Sequence, residues 1–155
     1  MKKEVKSAKA RMLIRSSASK VFNAFIDPEI TKNFWFTHSS GKLEENKEVE
    51  WKWEMYGVSA MVKAVEVKPN EKLSFEWSSM NAEPTLVVMS FKAIEANSTF
   101  VSIEHSGFPQ EGGDLVDVVA DSTGGFNLVL AGLKAYLEHN IRLELVRDNF
   151  PEEAR

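Results

Sequence analysis

Three histidines, His38, His105 and His139, are the side chains of this sequence whose charge changes near neutral pH. They lie far apart along the chain and none stands in a metal-binding spacing such as HExxH. Cys is absent, which removes thiolate nucleophiles, disulfides and cysteine-based zinc sites. His105 ends a strand whose alternate residues face inward, and His38 follows the FWF run at 34–36. If these two met across a hollow, they would hold a polar head group or work as an acid/base pair; a solvated or capped histidine is the plainer reading of each. Glu50, Glu54, Glu76 and Glu104 have the parity of the wet face, whereas catalytic carboxylates need a buried position. Glu83 and Asp121 break that rule from loop and helix positions, and neither has a partner in the pattern. Ser122 is the polar residue in an otherwise apolar helical stripe, where it could orient a ligand or return its hydroxyl to the preceding turn. With no nucleophile elbow, phosphate loop or dinucleotide fingerprint, we assign no catalytic residue, no metal and no cofactor.

What the sequence does supply is apolar bulk on one face. The stretch VEWKWEMYG at 49–57 sets Trp51, Trp53 and Met55 at alternate positions with Glu50, Lys52 and Glu54 between them. Alternation at period two marks a half-buried strand, so the indole face meets either a packed core or a cavity that holds a ligand. Trp35 and Phe36 stand in the loop after the first helices, where they would anchor that loop or form a lid.

The elements that must position these residues follow from pattern. Residues 8–15 read as a first strand, and Ser17 or Ser19 caps a helix with Val21, Phe22 and Phe25 on its apolar face. Asp27-Pro28 ends it, and a short helix over 29–33 leads to FWF. Strands are predicted over 49–56, 58–67, 72–77, 85–94 and 99–105, divided at Gly57, Pro69-Asn70, a turn over 81–84, and Ala96-Asn97. Such short connections require antiparallel neighbours. The loop 105–114 then leads to one long amphipathic helix over 115–137, with Leu115, Val119, Ser122, Phe126, Val129, Leu130, Leu133 and Leu137 on one side. Gly124-Gly125 in its middle predicts a kink or a fresh start, and Leu128, nearly opposite the stripe, is an exposed apolar residue that is either bland or a homodimer contact.

A chain of 155 residues with 43% hydrophobic composition suits one domain, with a core over about 8–139 and a tail over 140–155. Its formal net charge of -4, in mixed signs without a basic run, argues against nucleic acid. No apolar run reaches the roughly 18 residues of a membrane span, and the basic N-terminus lacks the apolar core of a signal peptide. These features read as a soluble, cytoplasmic protein.

Strand, two short helices, a run of antiparallel strands and a long last helix is an α+β order. ASKVFNAFIDPEITKNFW at 18–35, VKAVEVKPNEKLSFEW at 62–77, STFVSIEHSGFP at 98–109 and GGFNLVLAGLKAYLE at 124–138 resemble the START-like superfamily with its helix-grip fold. Within it, the chain is most similar to the domain family named after the activator of the heat-shock chaperone ATPase. Members often carry a Trp after the Gly of the final helix where this chain has Phe126, and GGDLVDVVADST makes the helix or the loop before it look longer. The resemblance implies a curved sheet that wraps the long helix and leaves a hollow between them. Trp51 and Trp53 would then face Phe126 and Val129, alongside Phe75, Trp77, Met89 and Ile103, with Trp35, His105 and Ser122 at the same hollow. It implies binding of a small hydrophobic or amphipathic molecule, with His105, Ser122 or Tyr136 giving polar recognition. The alternatives are a cochaperone-like module with a chaperone as partner, and an enzyme resembling polyketide cyclases.

Overall fold

The structure, a computed structural model, describes residues 6–79 and 82–155. The basic start of the chain at 1–5, and Asn81 at the head of the expected 81–84 turn, lie outside the described residues. The chain runs β1 (Ser7–Ile14), α1 (Ala18–Ile26), α2 (Pro28–Thr31), β2 (His38–Ser39), β3 (Glu48–Trp53), β4 (Val58–Lys68), β5 (Lys72–Ser78), β6 (Thr85–Glu95), β7 (Ser98–Ser106), α3 (Gly112–His139) and α4 (Leu145–Asp148). One curved sheet in the order β1-β7-β6-β5-β4-β3-β2, antiparallel throughout, grips α3 as the α+β helix-grip reading predicts. Register shifts at Ala64/Glu66 and Ala93/Glu95 add the bulges that bend such a sheet.

Local chemistry accounts for the first turn of the chain. The Ser17 hydroxyl accepts from the Lys20 N–H at 3.3 Å and starts α1, whose Val21, Phe22, Ala24 and Phe25 are buried. Pro28 occupies the first turn of α2, where its missing N–H costs nothing, and Asp27 caps the Glu29 N–H at 3.0 Å. The buried Thr31 hydroxyl donates back to the Ala24 carbonyl at 2.5 Å, which fixes the angle between the two helices.

Two expectations change on the sheet side. Alternation in VEWKWEMYG stops at Trp53, because Trp53 pairs with Val58 and residues 54–57 must make the reversal. Glu54–Tyr56 form a 3-10 turn closed by Gly57 at φ +62°, so Met55 leaves the indole face. The two-residue strand β2, which pairs His38 with Lys52, has no signal in the sequence pattern.

On the helix side, α3 runs from Gly112 to His139 without a break at Gly124-Gly125. A Cβ at Gly124 or Gly125 would meet nothing within 4 Å, so these glycines are not demanded by close packing. The buried residues of α3, Phe126, Val129, Leu130, Gly132 and Leu133, all lie in its second half, which packs along β1. Its first half projects past the core. Leu128 is half-buried and not exposed, because the chain after α3 turns back and α4 packs against the helix.

Gly132 is the position where the absence of a side chain matters. A Cβ there would lie 3.2 Å from the Phe34 Cβ and 3.3 Å from the Phe34 carbonyl oxygen. Gly124→Ala should therefore raise stability by roughly 0.5–1 kcal/mol through helix propensity. Gly132→Ala should lower it despite the same propensity gain, by about 1 kcal/mol or more, since Phe34 must move. Urea denaturation of both variants checks this; equal stabilisation by the two would contradict the close approach.

Candidate functional site

Trp35 joins the layers. Its ring lies 4.9 Å from Trp51, 5.8 Å from Trp77, 5.8 Å from Phe126 and 6.1 Å from Phe25, each in an edge-to-face arrangement. It thereby touches α1, the sheet and α3 at once. Trp35 and Phe36 are 6% and 1% exposed, so the loop is anchored, not raised as a lid. Such T-shaped pairs add roughly 0.5–1.5 kcal/mol each beyond area burial.

Beyond this packed end, where α3 projects, two adjoining hollows open. The helix-side hollow has a volume of about 510 Å³, and Trp35, Trp77, Phe126, Leu128 and Val129 form its apolar wall. The sheet-side hollow, about 520 Å³, is walled by Trp53, Val58, Ala60, Trp77 and Phe108. Tyr56, Trp77, His105, Val118 and Val146 border both.

A single polar node stands between them. The Trp77 indole N–H donates to His105 Nε2 at 3.2 Å, Thr85 Oγ1 lies 2.6 Å from the same nitrogen, and Ser122 Oγ lies 2.7 Å from His105 Nδ1. An indole nitrogen can only donate, so Nε2 must be the accepting nitrogen and Nδ1 carries the hydrogen. Nδ1–H therefore donates to Ser122 Oγ, and Thr85 donates its hydroxyl to Nε2. Burial lowers the His105 pKa to about 4, against the usual 6.5, so the imidazole is neutral at pH 7. Phe108 and Phe126 pack edge-on against it at 4.5 and 5.7 Å.

The expected site residues divide into two sets. Trp35, Trp77, His105, Ser122, Phe126 and Val129 meet at the helix-side hollow, and Trp53 at the sheet-side one. Trp51, Phe75, Met89 and Ile103 reach neither hollow; they are 2% exposed or less, within the core. Their parity is inward, but Trp51 and Phe75 pack against Trp35 at 4.9 and 6.3 Å, and Met89 and Ile103 are buried in the same core cluster. Tyr136 packs against the core and also reaches neither hollow. His38 is exposed on β2, the sheet edge five strands from β7, so it forms no pair with His105. Glu138, at the opposite end of α3, accepts from the Arg15 N–H and from Lys134. Burial pushes its carboxyl pKa up, but these two partners outweigh that and hold it below the usual range.

Residues that the pattern did not signal come mostly from the tail. After Asn140 at φ +54° and Glu144 at φ +57° the chain reverses, and Val146, Asn149 and Phe150 form part of the helix-side wall. The Tyr56 hydroxyl donates to the Val146 carbonyl, with the Arg147 carbonyl 3.3 Å away. Arg155 stacks 4.8 Å over the Tyr56 ring and donates to the Met55 carbonyl at 2.8 Å. The apolar residues Leu143, Val146 and Phe150 in a charged segment were the available signal. Among the described residues, no group of His, Asp and Glu is arranged to hold a metal, and no helix is long and apolar enough to cross a membrane.

Fold and hollow together define a START-like domain of the helix-grip type. A model of the family described as "Activator of Hsp90 ATPase homolog 1-like protein" matches residues 15–138, and the chain belongs to that family. Among solved structures, the protein SSP2350 from Staphylococcus saprophyticus is 28% identical, with a TM-score of 0.75 over 88% of this chain and 95% of that one. The Aha1 dimer from Colwellia psychrerythraea shares the fold at 21% identity, with a TM-score of 0.74 over 86% and 96% of the two chains. PFC0360w, an HSP90 activator from Plasmodium falciparum, shares it at 19% identity and a TM-score of 0.66, again over 86% and 96%. No curated protein matches the chain. The matched span ends before the tail that walls the hollow.

Two outcomes follow from this geometry. Because the folded His105 pKa lies below the unfolded value, its contribution to stability is present above about pH 6.5 and is lost as pH falls toward about 4. His105→Gln should flatten the decline of the urea midpoint across that window; an unchanged slope would show that other groups carry it. Tyr56→Phe removes the hydroxyl that holds the tail, and hydrogen exchange of residues 145–150 should accelerate by about fivefold to tenfold while the strands are unaffected.

Proposed function

We propose that this protein binds a small hydrophobic or amphipathic molecule between the sheet and α3, as a non-enzymatic binding protein. The observation that carries this reading is the pair of hollows of about 510 and 520 Å³, walled by aromatic rings around one neutral polar node. Ligand sites are typically of this size and make-up, with large apolar contact and a few placed polar groups. Both ring nitrogens of His105 already have protein partners, which suits an orienting group better than a proton-transfer catalyst. The lack of Cys suits a reducing cytoplasm.

A second reading is supported by the family. One similar structure is an Aha1 dimer and another an HSP90 activator, so a chaperone partner or a second copy of this chain is the alternative occupant of its surface. The ATPase rate of a purified Hsp90 with and without this protein separates the two readings; no change would remove the support for the cochaperone role.

For the binding reading, Trp53 is the informative position, being half-buried at the sheet-side hollow and outside the packed core. Titration with small aromatic and sterol-like compounds should give saturable quenching of tryptophan fluorescence. Trp53→Glu should weaken that binding by tenfold or more and retain a cooperative thermal transition. Loss of folding without a separable loss of binding would count against the pocket.

A further inference from the structure

Among the described residues, the acidic and basic side chains that line the two hollows, His105 aside, are all carboxylates; Arg155 stacks over the Tyr56 ring at 4.8 Å, gives a hydrogen bond to the Met55 carbonyl and does not line either hollow. Among the described residues, the only acidic or basic side chain besides His105 that lines the helix-side hollow is Asp121, exposed at the rim, and the sheet-side hollow adds only Glu83. Neither is lined by a Lys or Arg among the described residues. His105 supplies no positive charge at neutral pH. An anionic ligand placed here would lose its hydration, touch no cation of the lining and face carboxylates.

Hydrogen-bond donors are similarly restricted. The Trp77 N–H is engaged by His105 and the Tyr56 hydroxyl by the tail carbonyls. Asn149 is exposed at the rim. Ser122 differs from these. Its oxygen accepts from the Nδ1–H of His105, so its own hydrogen points elsewhere, and no carbonyl of the preceding turn receives it, unlike the neighbouring Thr123, which donates to the Val119 carbonyl at 2.8 Å. The inner wall of the hollow therefore offers one unengaged donor.

We propose that the helix-side hollow selects an uncharged aromatic molecule carrying one acceptor, a carbonyl oxygen that takes the Ser122 hydroxyl hydrogen, and rejects carboxylates of the same shape. This rests on the binding reading above and adds the class of ligand. His105 acts as the positioning residue: by donating to Ser122 Oγ, it leaves the serine hydrogen for the ligand.

The test is calorimetric titration of the full chain with four probes of one shape: 2-acetylnaphthalene, 2-ethylnaphthalene, 2-naphthoate and 2-naphthylmethylammonium. The ketone should bind about tenfold tighter than the hydrocarbon, the worth of one desolvated hydrogen bond, and at least tenfold tighter than either ion. Ser122→Ala should bring the ketone down to the level of the hydrocarbon and leave the hydrocarbon unchanged, while Ser122→Thr, which keeps a hydroxyl, should retain the preference. Equal binding of all four, or preference for either ion, overturns the selectivity and leaves the binding reading standing. An equal drop for ketone and hydrocarbon in Ser122→Ala also overturns it, since the serine would then act only through packing. Binding of none of the four overturns this proposal, and the binding reading then rests on the tryptophan-fluorescence titration above.

Discussion

The Trp35 indole packs edge-on against rings from α1, from the sheet and from α3, and the grip of sheet on helix depends on that junction. Each buried aromatic contributes on the order of 1.5–3 kcal/mol through removal from water. Position matters more than the sum. Filling one end of the groove with Trp35, Phe36, Trp51 and Phe75 fixes the separation of sheet and helix there. The other end, where α3 carries Val118, Ser122 and Gly125, then has no comparable bulk on the helix side and stays hollow.

Polar groups inside such a hollow need partners within the protein, and the His105 node provides them. Trp77, Thr85 and Ser122 satisfy both imidazole nitrogens, and among the described residues no buried side-chain polar atom lacks a partner. One node thus connects β5, β6, β7 and α3. It also holds the projecting half of the helix at a set distance from the sheet, so the hollow neither collapses nor splays.

The tail completes the enclosure by weaker means. Tyr56 reaches it because the β3–β4 reversal is a 3-10 turn, and the bonds it makes are to backbone carbonyls at a partly exposed position. Phe150 remains 49% exposed at the wall it helps to form. Compared with the packed end, this wall has little buried area, which places it at the low-stability end of the molecule, where local opening is easiest.

The sequence by itself determined the helix-grip order, most element boundaries to within a residue or two, and which strand faces are dry. Those properties are local: period-two alternation, the Ser17 cap, Asp27-Pro28 and the helical stripe each act over a few residues. It also singled out His105 and Ser122 as candidates, because a polar residue on an apolar face is a local anomaly, and Trp77 and Phe126 by their place in the strand and helix periodicity. Only the tertiary structure decided which inward residues line space and which fill it. Trp51, Phe75, Met89 and Ile103 share the parity of Trp53 and Trp77, yet the first four are core and the last two are wall. Parity assigns a face of the sheet, whereas depth along the groove depends on what stands opposite. For the first group that is Trp35 and the buried turns of α3, and for the second it is the projecting half of the helix and a tail, residues 146–150, that folds back from far along the chain.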